Sequence, residues 1–179
     1  LADANKRLRE SNQRDALTGL YNRRHFREVF EQMLRQSSER RQQLGLMLID
    51  LDYFKKINDT YGHLAGDDCL RSLSKAITMT LTGYNAIVAR FGGEEFVVVV
   101  PGVTSEKLVL IAEELRARIE KEMIRLGSQT ITITASLGIL SITSDKPISP
   151  DQALHQADEA LYLSKNKGRN RVSLAQEII

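Results

Sequence analysis

The chain has 179 residues, which is long enough for one ordinary domain with a full hydrophobic core and a short additional segment. Its 42% hydrophobic and 27% charged residues are typical of a soluble globular protein, and a net charge of +2 argues against nucleic acid as the partner. A single cysteine, Cys69, excludes a disulfide within the chain and favours a reducing, cytoplasmic compartment.

Residues 1–14 are polar and compatible with a helix, with a thin stripe at heptad-like spacing formed by Leu1, Ala4, Leu8 and Ser11. Such a stripe cannot hold an isolated helix in water, so the segment is either the end of a longer coiled-coil connector or a frayed terminus. Because the chain begins with leucine, we expect an upstream sensory or membrane-anchored region. We divide the sequence into a helical connector, residues 1–14, and a globular domain, residues 15–179.

The first half of the globular domain predicts a helix, a buried strand and two further helices. Residues 15–24 hold turn formers, and the helix that follows carries its apolar residues on one side. Residues 44–51 form an apolar run without helical periodicity, which predicts a central strand. We expect a short helix at residues 53–59, a loop at 60–66 and a longer helix at 67–81.

The second half predicts a hairpin, a long helix, a strand, a capped helix and an edge strand. Ser149, Pro150 and Gln152 carry the start signals of the capped helix. The mixture of helices and hairpin-connected strands predicts a three-layer or two-layer α/β sandwich, in which helices flank a central mixed, mostly antiparallel sheet. The expected elements cover residues 87–89 and 96–100, 104–124, 130–139, 149–165 and 171–174.

Two pairs of carboxylates stand at the ends of predicted strands. Asp50 and Asp52 share a face of the first strand if that strand continues so far, and Glu94 and Glu95 follow a Gly-Gly pair at the hairpin tip. If the strands pair, Asp50 converges with Glu94 and Glu95. Clustered carboxylates then need a cation, and oxygen-only ligands select Mg²⁺ or Mn²⁺. The alternative is a set of solvated polar residues at a strand end and a hairpin tip.

Four motifs, in the right order, closely resemble those of the GGDEF domain of diguanylate cyclases. They are DLDYFKKINDTYGHLAGD at residues 50–67, RFGGEEF at residues 90–96, an entry motif at residues 15–24 and a closing motif within residues 157–170. The glycine-rich motif has Glu where the family name has Asp, which keeps both carboxylates. The resemblance covers nearly all of residues 15–172 and identifies residues 15–179 as a GGDEF catalytic domain.

The resemblance implies a palm-like nucleotidyl cyclase fold and the Mg²⁺-dependent condensation of two GTP molecules into cyclic di-GMP, with release of two pyrophosphates. It also implies that each domain binds one GTP and that two domains face each other as a homodimer. A catalytically silent GTP-binding module that signals by contact is the alternative from another class. A polymerase-like nucleotidyltransferase is a third possibility, which the mild charge balance does not support.

The same resemblance implies roles for the carboxylates. Asp50, the backbone carbonyl of Leu51 and Glu94 would hold Mg²⁺. Glu94 or Glu95 would assist deprotonation of the ribose hydroxyl that attacks the opposite nucleotide, and the sequence leaves open which of them does so. Two metal ions held by carboxylates would suit such a phosphoryl transfer.

Substrate-binding residues follow from the resemblance as well. Asn58 and Asp67 match the positions that bind guanine in the family. The physical reason is that a carboxylate can accept hydrogen bonds from both the N1–H and the exocyclic amino group of guanine. Helix capping is the alternative for both residues. For His63, near the expected base pocket, the alternative is a satisfied loop histidine. The remaining positions lie where the phosphates are expected, and they are Phe54, Lys55, Gly92, Gly93, Lys165 and Arg169.

One departure from the family concerns regulation. Many members carry an Arg-x-x-Asp motif shortly before the Gly-Gly pair, where cyclic di-GMP binds and inhibits the enzyme. The matching positions here are Gly83 and Ala86, which offer neither charge. We therefore expect no inhibitory site of that kind.

Overall fold

The computed structural model describes residues 2–175, without the side chains of residues 9–11. Among these residues, no helix is long and apolar enough to cross a membrane. The helices are α1 (Ala2–Ser11), α2 (Arg23–Glu39), α3 (Phe54–Tyr61), α4 (His63–Thr80), α5 (Ser105–Lys121) and α6 (Pro150–Asn166). The strands are β1 (Leu44–Leu51), β2 (Ile87–Gly92), β3 (Glu95–Pro101), β4 (Ile124–Leu126), β5 (Gln129–Ile131), β6 (Ala135–Ile142) and β7 (Val172–Leu174).

Five strands form the central sheet, in the order β2-β3-β1-β6-β7. All neighbours are antiparallel except β6 and β7, which run parallel at one edge. Strands β4 and β5 form a separate small hairpin. The prediction of a mixed, mostly antiparallel sheet flanked by helices is confirmed.

Helices cover both faces of the sheet, and β1 is buried between them. Its residues alternate: Met47 and Ile49 pack in the core that contains α4 and α5, whereas Leu46 and Leu48 pack in the core that contains α2 and α6. Burial on both faces explains why β1 is a continuous apolar run without polar alternation. By the same alternation, Asp50 lies on the α2 and α6 side at the end of the strand.

Helix α6 lies unusually close to β6 because of Gly138. A Cβ atom at this position would lie 2.3 Å from the carbonyl oxygen of Ala157 and 2.2 Å from the backbone nitrogen of Leu161. Only glycine therefore permits this approach. The helix begins with the predicted capping box of Ser149 and Gln152, and its last turn carries Lys165 toward the end of β1.

The predicted loop at residues 60–66 is wrong. Helix α3 continues to Tyr61 and α4 begins at His63, so that Gly62, with φ of 93°, alone separates the two helices. A one-residue break leaves no polar stretch to mark it, and the early turn of α4 has no apolar stripe because Leu64 is 82% exposed.

The predicted strand at residues 130–139 is wrong in part. Strand β5 ends at Ile131 and β6 begins only at Ala135, because the chain leaves one sheet and enters another. The alternation of threonine and isoleucine continues through this break, so the sequence pattern alone does not reveal it. The described part of the expected connector is helical over Ala2–Ser11, while Leu1 lies outside the described residues.

Candidate functional site

The carboxylates meet where β1 ends and β3 begins. Antiparallel pairing places Asp50 opposite Glu95, and the backbone N–H of Leu51 donates to the carbonyl oxygen of Glu94 at 3.3 Å. The expected convergence of Asp50 with the hairpin tip is therefore present. Strands β2 and β3 pair up to Gly92 and Glu95, which leaves Gly93 and Glu94 as the two turn residues.

Gly92, the last residue of β2, and Gly93, in the turn, adopt backbone conformations that side chains disfavour, with φ of 139° and 51°. A Cβ atom at either position would meet nothing within 4 Å. The glycines are thus required by the backbone of the turn and not by crowding within the protein. The open space beside them leaves room for a ligand.

Lys165 links α6 to this cluster, because its Nζ donates to Asp50 Oδ2 at 2.5 Å. Asp50 is only 5% exposed. Burial raises the pKa of Asp50, the negative charges of Glu94 and Asp52 act in the same direction, and Lys165 opposes the increase. Burial and then the charge of Asp50 raise the pKa of Glu95. The site therefore concentrates negative charge that one lysine neutralises only in part.

The donor set is compatible with magnesium. Within residues 2–175, no group of three or more His, Cys, Asp or Glu side chains is arranged to hold a metal ion. Asp50 and Glu94 supply two carboxylates, and Leu51 can add a backbone carbonyl. Mg²⁺ is usually held by one or two carboxylates together with substrate phosphates and not by a complete protein cage. These residues therefore fit an ion that binds together with a nucleotide.

Asn58 and Asp67 lie on neighbouring helices, and neither is a helix cap. Asn58 is inside α3 and Asp67 is in the second turn of α4, so the capping alternative is wrong. The side-chain oxygen of Asn58 is buried and accepts no hydrogen bond. Buried acceptors nearly always have partners, and one without a partner destabilises the free protein. This oxygen is a candidate ligand contact.

Gly66 is a site residue that the sequence interpretation missed. A Cβ atom there would lie 1.9 Å from Asn58 Oδ1 and 3.2 Å from Phe54 Cζ. Any larger residue would displace the Asn58 amide. The available signal was an isolated glycine within a helical pattern, which often has a packing or functional reason.

The start of α3 lies, along the chain, between the carboxylate Asp50 and the candidate base-binding residue Asn58. Tyr53 precedes the helix with φ of 57° and provides no side-chain cap, so its side chain accepts no bond from the backbone N–H groups of the first turn. The Arg169 guanidinium lies 4.7 Å from the centre of the Tyr53 ring. Arg169 thus lies beside the start of α3, next to the expected phosphate positions Phe54 and Lys55, while Lys165 lies at Asp50. His63 is exposed at the first residue of α4 and does not lie in a loop.

Comparison with known proteins identifies the family. Residues 12–171 match the family described as "Diguanylate cyclase, GGDEF domain". The chain belongs to the GGDEF domain family. It is 36% identical over 179 residues to "Diguanylate cyclase A" of Treponema denticola, an alignment that covers 98% of this chain and 48% of that relative. It is also 35% identical over 159 residues to a membrane protein of Staphylococcus aureus, covering 88% of this chain and 44% of that protein.

A solved structure of the family shares the fold of this GGDEF domain. The coiled coil and GGDEF domain of DgcB from Caulobacter crescentus, solved in complex with c-di-GMP, superposes with a TM-score of 0.90 at 29% identity. The alignment covers 97% of this chain and 91% of that one. By contrast, the chain spans about half the length of the curated relatives that it matches.

The entry motif of this GGDEF domain braces the hairpin, a contact that the sequence interpretation missed. Arg90 donates from Nε to the carbonyl oxygen of Gly93 at 3.0 Å and from Nη1 to both carboxylate oxygens of Asp15 at 3.2 Å. Although burial opposes the change, hydrogen bonds from Thr18 and the charge of Arg90 lower the pKa of Asp15. The conformation of the turn is thus tied to the segment that follows α1.

The positions that correspond to the inhibitory motif carry no charged side chain. Gly83 is exposed with φ of 92°, and Ala86 is half-buried against the core. An arginine at position 83 would have to adopt a conformation that side chains disfavour. That this domain has no inhibitory site of this kind stays a prediction.

Proposed function

We propose that this chain is the catalytic domain of a diguanylate cyclase, which condenses two GTP molecules into cyclic di-GMP in a Mg²⁺-dependent reaction and releases two pyrophosphates. The observation that carries the proposal is the register of β1 and β3, which sets Asp50 opposite Glu95 beside Lys165. Membership of the GGDEF family supports the same activity.

Each side chain then has a defined task. Asp50, Glu94 and the Leu51 carbonyl would hold Mg²⁺, which when bound stabilises negative charge on the phosphates and acidifies the attacking hydroxyl. Glu95, whose pKa is raised by burial and by Asp50, is suited to accept the proton of the 3′-hydroxyl. Lys165 and Arg169 would bind phosphate oxygens, and the uncapped amides of Phe54 and Lys55 would cradle them.

On the base side, Asn58 and Asp67 would bind guanine. The unpartnered Asn58 oxygen gains a donor from the exocyclic amino group, and Asp67 accepts from the same edge of the base. Adenine presents neither pattern, so it would leave both oxygens unsatisfied. His63 would lie at the outer margin of this pocket.

The reaction joins two nucleotides, so two domains must face each other as a homodimer. Helix α1 would form the end of a longer coiled coil with a second copy, which would hold them together. The upstream part of such a protein would carry a sensor or membrane anchor, with this domain in the cytoplasm. The Staphylococcus aureus relative, a membrane protein, supports that arrangement.

Incubation of the purified chain with GTP and Mg²⁺, followed by mass spectrometry of the product, tests the proposal. We expect cyclic di-GMP and pyrophosphate, with turnover per chain rising with protein concentration. A second protein with a strong parallel coiled coil fused ahead of Leu1 removes weak dimerisation as a cause of failure. A fused protein that binds GTP but releases no pyrophosphate is the silent signalling module, and it would refute the proposal.

A further inference from the structure

The turn after α6 has an unusual backbone. Three consecutive residues have positive φ: Gly168 at 119°, Arg169 at 65° and Asn170 at 47°. The second and third carry side chains, for which the left-handed region is disfavoured. Such a conformation persists only where surrounding contacts hold it, and it is common at functional sites. We refer to residues 168–170 as the 168–170 turn.

Two side chains from distant parts of the sequence hold Asn170. The backbone N–H of Asn170 donates to Asp52 Oδ2 at 3.0 Å. On the other side, Arg116 of α5 donates from Nη1 to the side-chain oxygen of Asn170 at 2.9 Å. Asp52 is 4% exposed and accepts a hydroxyl hydrogen bond at 2.7 Å from each of Thr134 and Ser136. Asp52 therefore anchors the turn to the end of β1.

Arg116 is itself held in place. Its Nε donates to Glu113 at 3.0 Å and its Nη1 donates to Glu120 at 2.8 Å. The hydrogen bond with Glu113, followed by that with Glu120, raises the pKa of Arg116 although burial opposes the change. The guanidinium is a rigid planar fork, so fixing it on one helix also fixes the direction in which it reaches Asn170.

We propose that Arg116 is a positioning residue for phosphate binding. Through Asn170 it holds the 168–170 turn, and the turn holds Arg169 over the Tyr53 ring at the start of α3. This inference rests on the proposed function, because it is the triphosphate of GTP that Arg169 would bind. Arg116 bonds to none of the proposed substrate-binding residues, so it acts only through the turn.

Arg116→Gln tests the inference against Arg118→Gln. Arg118 is on the same helix and pairs with Glu122 at 3.4 Å, so its loss removes a similar charge without touching the turn. In the chain without nucleotide, hydrogen exchange of the peptide spanning residues 166–172 should become faster only in Arg116→Gln. In calorimetry, a non-hydrolysable GTP analogue should bind that variant about tenfold more weakly, and guanosine should bind it unchanged.

A second variant shows whether the effect passes through Asn170. Asn170→Gly keeps a backbone that tolerates positive φ but lacks the amide that Arg116 contacts. In this background, Arg116→Gln should have no further effect on affinity for the analogue. Additive losses in the two variants, or equal losses in Arg116→Gln and Arg118→Gln, would overturn the inference.

The proposed function and the inference can fail separately. If the unaltered chain binds no GTP analogue, the proposed function fails and takes the phosphate role of Arg116 with it. If the analogue binds normally and Arg116→Gln changes neither hydrogen exchange nor affinity, only the inference is wrong. Thermal unfolding of each variant identifies a loss of fold, and Arg116→Lys, which keeps the charge but not the fork, should then give an intermediate exchange rate.

Discussion

The two sides of the candidate site differ in how their polar groups are satisfied. On the carboxylate side, Asp50 pairs with Lys165, and Arg90 joins the hairpin turn to Asp15. On the base side, the buried oxygen of Asn58 has no partner, and within residues 2–175 no hydrogen bond or ion pair of the Asp67 side chain is found. The first side is organised by the protein itself, and the second is left incomplete.

This difference indicates where binding free energy is gained. A buried acceptor without a partner costs about 1–3 kcal/mol, which a ligand donor recovers when it binds. The carboxylate side instead keeps its charges in place before a ligand arrives, which suits transition-state stabilisation by preorganised groups. Substitutions on the two sides should therefore have different consequences for stability and for activity.

The largest expected effect is on the carboxylate side. Glu95→Gln should lower turnover by about 10² to 10⁴-fold, because the proposed proton acceptor is lost while the shape of the side chain is kept. Stability at neutral pH should stay the same or increase, since burial and the charge of Asp50 already disfavour ionised Glu95. Pyrophosphate release and thermal unfolding measure the two quantities.

Glu114→Gln is the matched control for this substitution, because Glu114 is an exposed glutamate of α5, away from the site. It should change neither quantity. If Glu95→Gln makes cyclic di-GMP at the normal rate, Glu95 is not the proton acceptor, and Glu94 becomes the remaining candidate.

The β2–β3 hairpin and the starts of α5 and α6 could be predicted from the sequence, because they depend on local patterns. The stripe of α5 at Leu108, Ile111 and Leu115 follows the helical period, and the capping box at Ser149 marks the start of α6. The patterns predicted that Asp50 would lie at the hairpin tip only if β1 and β3 pair, and the structure shows that they do.

The remaining features of the site depend on contacts between residues far apart in sequence. Arg90 reaches Asp15 across 75 positions, and Asn170 reaches Asp52 across 118. No periodicity encodes such side-chain contacts. The close approach of the Asn58 oxygen to Gly66 was also missed. The single-residue break at Gly62 was interpreted as a loop, so the packing of α3 against α4 was not expected.

The second prediction concerns nucleotide selectivity on the base side. Asp67→Ala should weaken GTP binding by about 10²-fold and leave pyrophosphate binding unchanged, because the lost carboxylate contacts only the base. The unaltered chain should prefer GTP to ITP and ITP to ATP, since ITP keeps the N1–H but lacks the exocyclic amino group. Calorimetry with non-hydrolysable analogues gives the order. Equal affinities for GTP and ATP would contradict the assignment.

A smaller effect with opposite signs is expected at Asn58. Asn58→Leu replaces a buried acceptor without a partner by an apolar group of similar shape, so the free protein should gain about 1 kcal/mol of stability. Affinity for GTP should fall about tenfold, because the hydrogen bond to guanine is lost. Urea unfolding measures the stability, and calorimetry with a non-hydrolysable analogue measures the affinity for GTP. A loss of stability would mean that the Asn58 oxygen is satisfied in solution and that the two sides of the site do not differ.

The smallest expected effect is a pH dependence confined to the carboxylate side. The folded protein raises the pKa of Glu95 above its ordinary 4.5, so between these two values the folded state binds more protons than the unfolded state. The contribution of Glu95 to stability therefore falls as pH rises from 4.5 through the raised pKa, and its full penalty is present above that pKa.

Unfolding free energies of the unaltered chain and of Glu95→Gln, measured from pH 4.5 to 8, should diverge in this direction, with Gln favoured at the higher pH. Asn58→Leu carries no titrating group, so its stability gain should be constant over the same range. A constant difference for Glu95→Gln as well would show that the folded protein does not perturb this carboxylate.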